Sequence, residues 1–394
     1  MRLKIPRGYK FAAYPGGLRY KGRNDLALVY SDVPAAAAGV FTQNRFKAAP
    51  VIVARERIAS MFPVQALFIN SGQANACTGE QGIMDCRKSL DLLAAELSIE
   101  EQAILPASTG VIGEPMPMDT LRQALPGLAG KVGCSSPVDA AKAIMTTDKF
   151  PKISAAQLKV PGEHVRIMGL AKGAGMICPD MATMLAFILC DARISPDLWQ
   201  EMLKSAVRES FNAITVDGDT STNDCVLALA NGSGGGEIGG RDNQEFYSAL
   251  RQVCQDLAYQ IVQDAEGGTK VVHVNVFGGR DAREAQLAAR AVGNSPLVKT
   301  ALYGNDPNWG RIVAALGRSG ADFDTEEVRV SIGSLCVFER GRPAEMDIDA
   351  VFSRFLRASD VHIDVQLGSG PGEYSLKTSD LSHEYVSINA EYRT

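Results

Sequence analysis

An α/β or α+β fold is predicted by two features of the 394-residue chain. Short apolar runs alternate along it with stretches of helical periodicity, and several of the runs are apolar on both faces, the pattern of a sheet covered by other layers. Composition agrees: 46% of the residues are hydrophobic and 22% charged, material for a large core and, on length alone, about two or three domains.

Strands are expected at 26–31 (LALVYS), 65–70 (QALFIN), 165–171 (VRIMGLA), 183–192 (TMLAFILCDA), 224–230 (DCVLALA) and 270–278 (KVVHVNVFG). Between them, Ser136-Pro137 supplies an N-cap and a first-turn proline for a helix over VDAAKAIMTTDK. Ser195-Pro196 does the same for DLWQEMLKSAVRESF. Beyond Asp242, the residues Phe246, Leu250, Val253, Leu257 and Ile261 recur at helical spacing, and Gly267-Gly268 is the expected stop. No repeat, low-complexity tract or Pro/Ser linker marks a domain boundary, so the one division predicted is chemical, at Ala182–Thr183.

The formal net charge of -5 offers no basic field to collect phosphates, which argues against nucleic-acid partners and leaves small polar substrates as the expectation. The N-terminus has basic residues but no uninterrupted apolar core, and no apolar stretch reaches eighteen residues; a cytoplasmic protein without membrane contact is expected. Eight cysteines show no C-x-x-C pair and read as reduced, mostly buried small residues, without a zinc site. The four histidines lie in no nucleophile motif and read as structural or surface groups.

Two motifs are rejected on their spacing. Gly234, Gly236 and Gly239 match G-x-G-x-x-G, but no helix opens at the third glycine and position 259 is Tyr rather than an acid; a loop is the better reading. The run DGDTSTND (217–224) begins like a calcium loop, yet Thr222 stands where glycine is needed and Ala228 where the closing Glu belongs.

The stretch KGAGMICPDMATMLAFILC (172–190) carries the functional reading. A threonine hydroxyl needs a neighbouring base, and a free α-amine on the same residue, with a pKa near ~7.7–8.0, is one. That amine exists only if the chain is cut in front of Thr183. The small Ala182, a glycine-containing loop that tolerates strain and a strand that fixes the nucleophile are what self-cleavage would need; the alternative is a threonine that simply opens a buried strand.

This stretch resembles the processing segment of the glutamate N-acetyltransferase (ornithine acetyltransferase) family. Similar in the same order are GVFTQNRFKAAPV (39–51), NSGQANACTG (70–79), PASTGVIGEPM (106–116), IMTTDKFPK (144–152), TVDGDTSTNDC (215–225), GNDPNWGR (304–311) and NAEYRT (389–394). The resemblance implies a layered α/β sandwich of the ornithine acetyltransferase and self-processing aminopeptidase type, with mixed sheets between helices. It further implies cleavage at Ala182–Thr183 into an alpha chain, 1–182, and a beta chain, 183–394, interleaved in one fold and assembled as a heterotetramer of two of each. Thr183 would be the nucleophile, and Thr109-Gly110 would form the oxyanion hole. Substrate contacts would fall at Thr146 or Thr147, the former favoured, and at Lys172, Thr183, Glu266, Asn389 and Thr394, with Glu266 suited to an ornithine ammonium.

The implied reaction carries acetyl from N2-acetylornithine to glutamate through an acetyl-Thr183 ester, in arginine biosynthesis. No cofactor is implied, and acetyl-CoA is left open as a second donor because no CoA-specific motif is present. Two rival readings stand beside it: a self-processing aminopeptidase of similar fold, which passes its acyl group to water, and an uncleaved, non-enzymatic binding protein.

Overall fold

The structure, a computed structural model, describes residues 3–160, 163–178, 184–240, 243–344 and 356–391. It divides into two compact units, one comprising Met1–Asn212 and Asp219–Ile261, the other Ala213–Gly218 and Val262–Arg393. Neither boundary lies at 182/183, because the strands on either side of that bond belong to the same sheet.

The first unit contains β1 (Tyr9–Tyr14), β2 (Leu26–Phe41), α1 (Ala49–Ala59), β3 (Val64–Gln73), α2 (Gly79–Leu97), β4 (Ile104–Val111), α3 (Met118–Ala129), α4 (Pro137–Ala143), β5 (Lys152–Val160), β6 (Glu163–Lys172), β7 (Leu185–Cys190), α5 (Pro196–Arg208), β8 (Cys225–Ala230) and α6 (Asn243–Gln263). Its sheet runs β4-β3-β2-β8-β7-β6-β5, with β1 also paired to β2. The long β2 joins two halves: its first part pairs with β1 and β3, and after an irregularity between Tyr30 and Ala35 its second part pairs with β8.

Alternation of side chains explains the layers. On one face of the first half, Leu28, Phe68 and Ile104 pack with Leu90 and Leu93 of α2 and Leu125 of α3. On the other face Val29, Leu67 and Leu105 share a core with Leu170, Phe187 and Leu227 of the second half. The halves therefore face one another across a common interior. A methyl group on Gly169 of β6 would meet Val253 and Leu257 of α6, so a helix covers the outer side of that half. The predicted sandwich is present.

All six strand expectations correspond to strands among the described residues. Three local readings need correction. Ser136 does close a capping box with Asp139, but the helix stops at Ala143, and IMTTDK forms a turn whose Asp148 side chain competes for backbone N–H groups. The stop of α6 falls at Gln263 rather than at Gly267. The cysteines are not mostly buried: Cys86, Cys190, Cys225 and Cys254 are, whereas Cys77 and Cys134 are exposed. The glycine-rich segment is a loop, as expected. Side chains at Gly234 and Gly236 would collide with Asp191 and with Val160 and Val165, which gives these glycines a packing role.

The second unit contains β9 (Val271–Gly279), α7 (Ala282–Gly293), α8 (Pro296–Tyr303), α9 (Trp309–Gly317), β10 (Arg329–Ile332), β11 (Leu335–Glu339), β12 (Arg342–Pro343), β13 (Asp360–Gln366), β14 (Gly372–Ser379) and α10 (His383–Glu391). Its sheet order is β12-β11-β10-β13-β9-β14, and Val272, Val274 and Val276 pack under α7 and α9. Among the described residues no helix is long and apolar enough to cross a membrane.

Candidate active site

The parallel pair β3 and β4 builds the first element of the site. Opposite each other in the register are Gly72 and Gly110, both at positive φ (94° and 136°), where the pairing becomes irregular. A Cβ on Gly110 would strike the carbonyl carbon of Gly72 and the amide nitrogen of Gln73. Only glycine fits both the conformation and the approach. Asn70 fixes this bulge, donating from Nδ2 to the Gln73 carbonyl (2.7 Å) and accepting at Oδ1 from Ser108 Oγ (2.6 Å).

Thr109, beside Gly110, is buried, and its Oγ1 accepts a hydrogen bond from Lys172 Nζ at 3.2 Å. Lys172 is the last residue of β6, and the same ammonium donates to Thr146 Oγ1 at 2.8 Å. Thr109, Thr146 and Lys172 are thus brought together from three separate segments. Lys172 is only 4% exposed, so its charge requires compensation.

Asp148 supplies it, and sequence reasoning missed this residue. Its side chain is fully buried. Oδ2 lies 3.9 Å from Lys172 Nζ and accepts from the Thr146 amide (3.0 Å), while Oδ1 accepts from Lys152 Nζ and the Gly173 amide, both at 2.7 Å. Burial alone would raise the Asp148 pKa, but Lys172, Lys152 and the Gly173 amide together outweigh it and bring it down to about 2. The carboxylate is a permanent negative charge between two lysines.

Ala182 and Thr183, the expected cleavage pair, lie outside the described residues, as does Thr394. The description resumes at Met184, whose amide donates to Asp224 Oδ1 at 2.9 Å. Asp224 is 1% exposed, and burial pushes its pKa well above the usual carboxylate range despite the Met184 amide, the charge of Lys172 and contacts to Ser221. Its neighbour Asn223 donates from Nδ2 to the carbonyls of Ala74 (2.7 Å) and Ser108 (2.8 Å). The run rejected as a calcium loop is therefore built into the walls of this site.

In the second unit, Glu266 is buried in the turn after α6, beyond the helix end, and Asn389 of α10 donates to its Oε2 at 2.9 Å. The C-terminal helix is tied to the same turn by Ser382 Oγ, which donates to the Gly267 carbonyl at 2.6 Å. A side chain at Gly267, whose φ is 66°, would run into the Tyr385 amide. Glu266 and Asn389 thus form a second pairing of expected contact residues.

The chain is 52% identical over 389 residues to the arginine biosynthesis bifunctional protein ArgJ of Nitratidesulfovibrio vulgaris, covering 99% of each. To the protein of that name from Thermosynechococcus vestitus it is 46% identical over 405 residues, covering 98% of this chain and 97% of the other. A crystal structure of arginine biosynthesis bifunctional protein ArgJ from Bacillus halodurans superposes with a TM-score of 0.51 at 40% identity, covering 52% of this chain and 98% of that one. Residues 10–394 match the profile of the ArgJ family, and with relatives this similar over nearly their whole length the chain belongs to that family.

Proposed function

We propose that this arginine-biosynthesis enzyme moves the acetyl group of N2-acetylornithine to glutamate by way of an ester on Thr183, after cutting its own chain at Ala182–Thr183. The observation that carries the reading is the buried cluster in which Lys172 binds Thr109 and Thr146 at once, beside a glycine whose backbone admits no side chain.

In the first half-reaction Thr183 Oγ1 attacks the acetyl carbonyl while its α-amine takes the proton. Negative charge develops on the former carbonyl oxygen. The Thr109 hydroxyl and the Gly110 amide are the donors assigned to it, and Lys172, bonded to Thr109, adds a positive charge nearby. Collapse, with that proton passed from the α-ammonium to the leaving nitrogen, expels ornithine and leaves acetyl-Thr183. Glutamate then enters, its amine attacks the ester, and N-acetylglutamate departs. Lys172 also suits a substrate carboxylate, and Glu266, Asn389 and Thr394 are proposed as further substrate contacts.

Division of the chain into 1–182 and 183–394, paired as a heterotetramer, belongs to the same proposal. It is supported by the Bacillus halodurans structure, whose chain is matched almost whole by about half of this one. The relatives' names call them bifunctional, and acetyl-CoA is proposed here as a second donor to glutamate.

Denaturing electrophoresis with N-terminal sequencing tests the cut: two fragments, the smaller beginning at Met1 and the larger at Thr183, are expected from wild type, and one band from Thr183→Ala. A single wild-type band, or acetyl transfer by Thr183→Ala, defeats the proposal. Release of acetate to water in place of N-acetylglutamate would favour a hydrolase.

A further inference from the structure

The run STND (221–224) has no part in the chemistry assigned above, yet it touches both of the elements that must be aligned for it. Asn223 is 6% exposed, and both amide hydrogens and the carbonyl oxygen of its side chain are engaged: Nδ2 donates to Ala74 and Ser108, and Oδ1 accepts from Thr222 Oγ1 at 2.6 Å. Ser108 directly precedes Thr109. The next residue, Asp224, holds the amide of Met184, and Met184 directly follows Thr183. Main-chain bonds secure the dipeptide and the residue after it: the Thr42 amide donates to the Asp224 carbonyl (3.0 Å), and the Cys225 amide donates to the Met184 carbonyl (3.3 Å).

We propose that Asn223-Asp224 is a positioning clamp that sets the spacing between the nucleophile Thr183 and the oxyanion pair Thr109-Gly110, one side chain gripping each strand. The clamp rests on the reading of Thr183 given above. Neither side chain touches a reacting atom; each acts through the backbone it holds. Two parallel strands, β7 and β8, would pair without it, and a hydrophobic residue at 224 would avoid the cost of burying a carboxyl group. A carboxyl group nevertheless stands at 224, bonded to the amide of the residue that follows the nucleophile.

What the Met184 amide needs is an acceptor, and burial favours the uncharged acid. An amide oxygen serves equally well, so the charge of a carboxylate is not what the clamp uses. This separates the proposal from a role for Asp224 as a base.

Three variants test it: Asp224→Asn, which keeps an acceptor of the same shape; Asp224→Leu, which keeps the volume and removes the acceptor; and Asn223→Ala, which frees the carbonyls of Ala74 and Ser108. Cleavage rate in a synthesis chase, kcat and KM for acetyl transfer, and melting temperature are measured for each. Asp224→Asn is expected to stay within about threefold of wild type in cleavage and kcat. Asp224→Leu is expected to melt near wild type yet cleave at least tenfold more slowly, with the pre-cut enzyme losing at least tenfold in kcat and less than about twofold in KM. Asn223→Ala, which leaves the Met184 contact intact, should show the same kcat loss and serves if the Leu variant does not fold. Wild-type cleavage and kcat in both Asp224→Leu and Asn223→Ala would overturn the clamp, and so would an Asn variant as impaired as the Leu variant. Failure of the Thr183 reading is seen separately, as an uncut wild-type chain.

Discussion

Asp148→Asn removes one negative charge from between two lysines that are themselves buried, Lys152 and Lys172. The Asp148 pKa falls from 3.8 to about 2 because the two lysines and the Gly173 amide outweigh its burial. At ~1.4 kcal/mol per unit this corresponds to roughly 2 kcal/mol favouring the charged form. Breaking a buried pair by removing one partner typically costs ~3–5 kcal/mol, because the remaining charge is left uncompensated. The variant should therefore be less stable by about 2–5 kcal/mol, and the first unit should melt roughly 4–9 °C below its wild-type temperature. The pH dependence has a definite sign. A carboxyl whose pKa is lowered by folding contributes fully above its unfolded value and loses that contribution as pH falls through its folded value. The difference between the two proteins should accordingly be constant from about pH 5 to 8 and narrow as pH falls from about 4 towards 2. Thermal unfolding followed by circular dichroism measures both effects. Melting within a degree or two of wild type at pH 7, or a gap that persists unchanged on acidification, would refute the reasoning. Adding Lys152→Met should restore part of the loss, since it removes one of the stranded ammonium groups.

Two further outcomes are expected. Gly110→Ala puts a methyl group into the Gly72–Gln73 backbone at a φ of 136°; kcat for acetyl transfer should fall about 10²–10³-fold, the usual cost of losing an oxyanion donor, and a variant that keeps a tenth of wild-type kcat would remove this amide from the mechanism. Lys299 is buried against Thr378 and Ser379, and burial brings its pKa down to about 8 despite the opposing charges of Asp380 and Asp217. Between about pH 8 and its ordinary value near 10.5 the unfolded chain holds a proton the folded chain has lost, so this lysine makes stability rise with pH. Urea unfolding at pH 7.5 and 9.5 should show a smaller rise in Lys299→Met, and an equal rise would count against it.

The elements were legible where periodicity decides them. Phe246, Leu250, Val253, Leu257 and Ile261 all point into the core of their unit, because a 21-residue helix repeats its pattern often enough to be read. Endings were less legible. The helix opened by Ser136 stops at Ala143 since the Asp148 carboxylate, five residues on, takes up the Thr146 and Gly173 amides, a competition no propensity records. The site divided in the same way. Thr109, Thr146 and Lys172 were assigned through family resemblance, and the structure joins them by hydrogen bonds. Asp148 and Asp224 carried no signal as isolated acids, because the significance of each lies in partners from other strands. Two bland acidic residues became strongly perturbed carboxyls only when folding had buried them.

The position of β7 explains how such a chain could tolerate a cut at its nucleophile. This strand is hydrogen-bonded to β6 on one side, antiparallel, and to β8 on the other, parallel. Cleavage at 182/183 would put β6 on one fragment and β7 with β8 on the other. All six residues of β7 are at most 1% exposed, and its Leu185, Phe187, Ile188 and Leu189 contribute roughly 6–12 kcal/mol of apolar burial among them. Separating the fragments would expose those side chains and strip the ladder from β6, an exchange much costlier than the loss of one covalent tether. Under the proposed cleavage, the contacts of β7 to both fragments would hold the fold together without that bond. The proposed cut would then liberate an α-amine while β7 stays fixed.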